Sequence, residues 1–246
     1  MLAETGRVRE VRPVVDGLTC SFAAGLTADS GRWFVKGAPE ADRRAWEAQY
    51  AERLVFPLLE GVGPAFRWRV AAGGWELMGF DWVDGRHADL GPGSPDLLLV
   101  AEVMLAAQEI TAPDFLYRPL AHRLGPFLET VEVPLLAGGT VLHTDTNPHN
   151  LLVGDGRAWM VDWAMWAQGP AWVDVAYTAV RLMEADTPAA EALEWAAQFP
   201  SWRSADPAAV AAFVSASCRQ WEAMVGPVDC VPSNRRFEAL LAAVHA

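Results

Sequence analysis

The chain contains a single lysine. Of its 19 basic residues, 18 are arginine, and Lys36 stands alone. Asparagine is almost as scarce, with only Asn147, Asn150 and Asn234. A bias that exchanges lysine for arginine wherever chemistry permits leaves lysine where arginine fails. A guanidinium is a planar fork, whereas an ammonium is a compact point charge on a slender stem, so a narrow phosphate site can require lysine. Cysteine is sparse too: Cys20, Cys218 and Cys230 are odd in number and form no CxxC pair. Neither a disulfide framework nor a zinc site follows from them. The opening MLAETGRVREVRP lacks the apolar stretch of a signal peptide. No uncharged apolar run reaches the roughly 18 residues of a membrane span. A reducing, cytoplasmic setting is the default expectation.

Apolar residues are plentiful. At 246 residues and 52% hydrophobic, the chain has material for a sizeable core, or for two lobes sharing a cleft. Its net charge of −12 argues against a nucleic-acid partner, because binding to a phosphate backbone is dominated by lysine and arginine. An acidic surface suits solubility and attracts cationic ligands.

Residues 8–36 alternate short apolar runs with turn residues. VREVRPVV, SFAAGL and RWFVK read as three antiparallel strands, with turns at Asp16-Gly17-Leu18-Thr19 and Ala28-Asp29-Ser30-Gly31. Residues 39–60 read as a helix, with Trp46, Tyr50 and Leu54 at helical spacing. FRWRVAA and WELMGFDWV then give two more strands around Gly73-Gly74. The expectation is an α+β fold: residues 1–84 form a small lobe of five strands and one helix, and residues 85–246 a larger, mainly helical lobe. A linker falls near 80–92. Ser94-Pro95-Asp96 looks like a helix start, and the LLLVAEVMLAAQEI that follows is apolar on most sides. Beyond residue 163 the pattern is helical and alanine-rich, interrupted by Pro188, Pro200, Pro207, Pro227 and Pro232.

Residues 141–162, VLHTDTNPHNLLVGDGRAWMVD, carry the chemistry. An apolar run ends at His143-Thr144-Asp145, Asn150 opens a strand, Gly154-Asp155-Gly156 is a hairpin turn, and the return strand ends at Asp162. Asn150 and Asp162 thereby share one end of a hairpin, with Asp145 on the loop entering it. Two carboxylates and an amide oxygen at one point suit Mg²⁺, which is usually held by one or two carboxylates plus substrate phosphates. The third group can accept a proton from an attacking hydroxyl. Phosphoryl transfer asks for little beyond a positioned metal, a lysine on the phosphates and such a carboxylate.

HTDTNPHN resembles the catalytic loop of the aminoglycoside phosphotransferase family, relatives of the protein kinases, whose loop reads His-Gly-Asp-x-x-Pro-x-Asn or close to it. VDWAMWAQGPAWVDVA resembles the family's metal-binding segment, and the similarity runs in order from about residue 14 to 180. The resemblance implies a protein-kinase-like two-lobed fold with ATP and Mg²⁺ as cofactors, GTP being the alternative nucleotide. It implies Asp145 as catalytic base, Asn150 and Asp162 as metal ligands, and Lys36 on the phosphates. It implies Glu47 as the lysine's ion-pair partner, with Glu52 in reserve, and an adenine pocket around Phe80, Trp82 and Val83. Thr144 replaces the usual glycine, Asn147 stands where histidine is common, and the nucleotide loop DGLTCS has one glycine. His143 and Asp174 are expected to be structural, the latter as a brace of the loop.

The implied acceptor is a hydroxyl of a small molecule, an aminoglycoside-like or other antibiotic being one class. From Trp163 onward nine acidic residues face five arginines, which favours a cationic acceptor. The alternatives are a kinase of a neutral metabolite, a kinase-like nucleotide-binding protein without turnover, and a protein kinase. Against the last, no activation-loop or APE-like segment follows Asp162. A hydrolytic metal site at His143, Asp145 and His149 lacks a further histidine or cysteine at plausible spacing. No membrane partner is expected, and the oligomeric state is open.

Overall fold

The computed structural model describes residues 2–14 and 20–243; the expected turn at residues 16–19, in the nucleotide loop, lies outside the described residues. A one-turn helix α1 (Leu2–Thr5) precedes strands β1 (Val8–Pro13), β2 (Phe22–Ala28) and β3 (Gly31–Pro39). Helix α2 (Arg43–Val55) then leads to β4 (Phe66–Ala72) and β5 (Trp75–Asp81). The five strands form one antiparallel sheet in the order β1-β2-β3-β5-β4. Lys36 is therefore central, opposite Ala23 of β2 and Met78 of β5. Trp68 lies flat over its cross-strand partner Gly79, where an added Cβ would stand 2.0 Å from the ring; only glycine admits that approach.

Helix α2 is shorter than the periodicity suggests. The Asp42 side chain accepts from the Ala45 amide at 3.1 Å and caps its start. Pro57, which has no amide to donate, turns its end into a 3-10 turn over Phe56–Leu58. Its buried face is Gln49, Glu52 and Val55. The apolar stripe lies elsewhere: Tyr50 and Leu54 are exposed, and Trp46 stacks on Tyr50 at 5.4 Å.

The rest of the chain is mainly helical, with α3 (Asp96–Gln108), α4 (Leu120–Leu124), α5 (Trp172–Glu184), α6 (Ala189–Ala196), α7 (Pro200–Arg203), α8 (Pro207–Val225) and α9 (Val231–Ala239). Proline punctuates these helices as expected: Pro200 and Pro207 open α7 and α8, and Pro188 caps α6. Two small antiparallel sheets interrupt the helices. One pairs β7 (Thr140–Leu142) with β10 (Ala167–Gly169); the other orders β6 (Arg86–His87), β8 (Leu151–Gly154) and β9 (Arg157–Met160) as β6-β8-β9. A continuous apolar core runs through Met104, Leu120, Leu142, Trp163, Val175 and Phe213. These residues come from α3, α4, β7, α5, α8 and the segment after β9, so the core fixes the loops around residues 143–150 and 162–166 from below. Among the described residues no helix is long and apolar enough to cross a membrane.

Candidate active site

The hairpin forms as the sequence suggests, with Asp155 and Gly156 at φ +49° and +72° in the turn. Its boundaries shift slightly: Asn150 closes a 3-10 turn (Pro148–Asn150), and the return strand stops at Met160, two residues short of Asp162. The Val161 amide still donates to the Asn150 carbonyl at 2.9 Å, keeping the two ends level.

His143, fully buried, joins these pieces. Its Nε2 lies 2.8 Å from the Val161 carbonyl, and its Nδ1 lies 3.3 Å from the Asp145 amide. A carbonyl only accepts, so Nε2 carries the proton and Nδ1 receives the amide. The ring thus spans from the residue before Asp162 to Asp145, a positioning function. Asp174 on α5 braces the same loop, its two carboxylate oxygens accepting the His143 and Thr144 amides at 2.7 and 2.8 Å. Burial pushes the Asp174 carboxyl above the ordinary range, against the pull of His143 and those two amides. Asn150 donates from Nδ2 to the Asp145 carbonyl and carboxylate at 2.9 and 3.0 Å, which leaves its Oδ1 as the amide's acceptor.

Lys36 reaches across to the same end. Its Nζ donates to Glu52 Oε1 and Oε2 at 3.0 and 2.9 Å, and to Asp162 Oδ1 at 2.8 Å. Lys36 and Glu52 are 6% and 2% exposed. Burial opposes charge on the ammonium, but the facing carboxylates of Glu52 and Asp162 outweigh it and raise its pKa. Glu52 Oε1 also accepts the Trp163 amide at 3.0 Å, tying α2 to the turn after Asp162. The ion pair expected at Glu47 forms at Glu52 instead. Glu47 is exposed and pairs with Arg43 of its own helix at 2.7 Å. Five residues at about 100° each put the two side chains about 140° apart round α2, so only one can face β3.

Phe80 turns into the small lobe, 4% exposed, its ring centroid 4.6 Å from Phe56 and 5.7 Å from Phe66; its side chain packs in the core. Trp82 donates to Asp84 at 2.8 Å and lies over Gly25 of β2, where a Cβ would stand 2.6 Å from its ring. The structure therefore gathers Lys36, Asp145, Asn150 and Asp162 at one end of the hairpin and leaves Glu47 outside.

The structure adds three features. Arg181 of α5 approaches Asp145 Oδ1 at 3.9 Å while paired with Glu184 at 2.6 Å. Thr144 and Asp162, at φ +64° and +63°, are left-handed, and for a β-branched residue this strain is of order 1–3 kcal/mol. Arg123, from α4, donates to Thr144 Oγ1 and to the carbonyls of Met165 and Trp166. Among the described residues no three His, Cys, Asp or Glu side chains cluster as a self-sufficient metal site. Oxygen donors from Asn150 and Asp162 alone fit Mg²⁺, which retains water and phosphate ligands, better than a caged metal.

Residues 118–213 match the model of the phosphotransferase enzyme family. No curated protein matches the chain. Solved structures share its fold at low identity. The choline kinase LicA from Streptococcus pneumoniae aligns with TM-score 0.64 and 11% identity over 98% of this chain and 96% of its own. A thermostable mutant of the aminoglycoside phosphotransferase APH(4)-Ia gives 0.59 and 14% over 98% and 97%. The amicoumacin kinase hAmiN, in complex with AMP-PNP, Ca²⁺ and Ami, gives 0.59 and 12% over 98% and 91%. The resemblance read from the motifs is thus matched by the family model over residues 118–213, and the chain as a whole shares the protein-kinase-like α+β fold of these solved structures.

Proposed function

We propose that the protein transfers the γ-phosphoryl group of ATP to a hydroxyl of a small molecule. The observation that carries this reading is the lone lysine, buried and bonded to both Glu52 and Asp162, one strand-end away from Asp145 and Asn150. In this reading residues 1–84 hold the nucleotide, with Trp82 and the segment from Phe80 on the adenine side, and residues 85–246 carry the catalytic loop and the acceptor site. Mg²⁺, held by Asn150 Oδ1 and Asp162, would offset charge on the phosphates. Lys36 bonds phosphate oxygens, with Glu52 fixing its head. Asp145 orients the acceptor hydroxyl and takes its proton as the oxygen attacks the γ-phosphorus and ADP leaves. GTP is the alternative donor, and the cytoplasm the proposed setting.

For the acceptor we propose a hydroxylated amine, an aminoglycoside-like antibiotic being one candidate class. The support is the acidic excess after Trp163. Arg181 beside Asp145 and its pairing with Glu184 mean that attraction of a cation rests on the summed field of the lobe. Raising salt should then lower kcat/KM for an amine acceptor; a neutral preferred acceptor with a salt-independent rate removes the cationic half of the proposal.

The central test separates the two aspartates. Asp145→Ala should abolish ATP consumption while leaving nucleotide affinity nearly unchanged, since a base acts on the acceptor. Asp162→Ala should weaken Mg·ATP binding, measured calorimetrically with and without Mg²⁺. Equal loss of affinity in both variants would refute the assigned roles.

A further inference from the structure

Thr144 combines two properties that conflict. Its backbone is left-handed at φ +64°, where glycine rests without penalty and a β-branched side chain is strained. Yet its side chain is fully engaged. Thr144 Oγ1 donates to the Met165 carbonyl at 2.5 Å and receives Arg123 Nη1 at 2.6 Å. Arg123 Nη2 donates to the same Met165 carbonyl at 2.5 Å and to the Trp166 carbonyl at 3.1 Å. All three Arg123 bonds go to neutral oxygens, although burial disfavours its charge. Met165 ends the turn that begins directly after Asp162. Thr144 directly precedes Asp145. The cluster therefore links the residue before one site carboxylate to the turn after the other, whereas the His143 bridge reaches Val161, the residue before Asp162.

We propose that Thr144 and Arg123 form a positioning clamp that fixes the separation of Asp145 and Asp162, so that turnover depends on the Thr144 hydroxyl although it touches neither nucleotide nor acceptor. This rests on the phosphotransferase reading above. A glycine would satisfy the backbone and lose the clamp, which makes Thr144→Gly the informative variant: it relieves strain and removes function together. A purely structural role would instead make turnover follow stability.

The experiment measures melting temperature, Mg·ATP affinity and ATP consumption, with choline or an aminoglycoside as acceptor, in full-length Thr144→Gly, Thr144→Ser, Arg123→Gln and the double variant T144G/R123Q. Thr144→Gly should melt no lower than wild type and bind Mg·ATP within about threefold, while kcat falls between about tenfold and a hundredfold at unchanged KM, the scale of a small misplacement of reacting groups. Thr144→Ser, which keeps the hydroxyl, should restore the wild-type rate. T144G/R123Q should be no slower than the slower single variant, because both remove one device. Wild-type kcat in Thr144→Gly, or single effects that multiply in the double variant, would overturn the clamp. A wild-type protein that consumes no ATP with any acceptor would count against the phosphotransferase reading instead. The clamp would then be judged by melting temperature, where additive shifts overturn the coupling and a double shift smaller than the sum supports it.

Discussion

Replacing Glu52 by glutamine separates the two candidate partners of Lys36. The carboxylate is 2% exposed, receives Lys36 Nζ at 3.0 and 2.9 Å, and accepts the Trp163 amide at 3.0 Å. Removing one member of a buried ion pair costs about 3–5 kcal/mol when the remaining charge is left uncompensated. Here Asp162 stays 2.8 Å from the ammonium, and the glutamine carbonyl still accepts one bond, so the expected cost is lower, about 2–3 kcal/mol. For a chain of this length each kcal/mol shifts the melting temperature by about 2–4 °C, which gives a fall of about 4–12 °C for Glu52→Gln. Turnover should fall at least about tenfold as well, because the lysine loses the carboxylate that aims it. Glu47→Gln should leave both quantities unchanged, since Glu47 is exposed and, among the described residues, pairs with Arg43 of its own helix. Differential scanning fluorimetry and a coupled ATP-consumption assay on the two variants suffice. Equal effects, or a larger effect at Glu47, would refute the assignment of Glu52 as the partner that holds Lys36.

Lys36→Arg keeps the charge but puts a forked head where a single ammonium meets two carboxylates in a buried space; it should lower both melting temperature and turnover, and a wild-type rate would reduce the lone lysine to coincidence. Asp174 gives a pH signature. Burial raises its folded-state pKa above the unfolded value, so its contribution to stability is fullest below the ordinary aspartate range and is lost as pH rises through the raised value. The stability of wild type minus that of Asp174→Asn should therefore decline with increasing pH from about 4 upward, and a flat or rising difference in urea titrations would contradict it.

Much of the fold was legible because its signals are local. Alternation gave all five strands of the sheet, Asp155-Gly156 gave the hairpin, and the prolines after residue 187 gave breaks in the helical pattern, of which Pro188, Pro200 and Pro207 stand at helix starts. The convergence of Asp145, Asn150 and Asp162 was legible for a related reason: they lie within one short loop-and-hairpin segment. Lys36 was conspicuous by its isolation in the composition.

What stayed hidden depends on facing, and α2 shows why. Its apolar residues Trp46, Tyr50 and Leu54 suggest an inward face centred about 60° from Glu47 and about 160° from Glu52, whereas the face turned to β3 and to the turn after Asp162 is Gln49, Glu52 and Val55. Polar residues occupy that face because it packs against a charged centre. There a carboxylate and an amide find partners in Lys36, Trp163 and Glu76, which an apolar side chain would leave unsatisfied. Hydrophobic phasing locates the inside of a helix only where the inside is apolar. Beside an ionic site it selects the wrong side. The same limit applies to Arg123, whose partners lie 21, 42 and 43 residues downstream and whose role is set by backbone carbonyls that no side-chain pattern records. It applies to Thr144 as well: the substitution for glycine was visible in the sequence, but its meaning was not, because the hydroxyl's partners are supplied by α4 and by the turn after Asp162. A residue at odds with its own backbone conformation, held there by bonds from two distant segments, is therefore the kind of feature for which three-dimensional geometry is needed, and here it lies next to the candidate base.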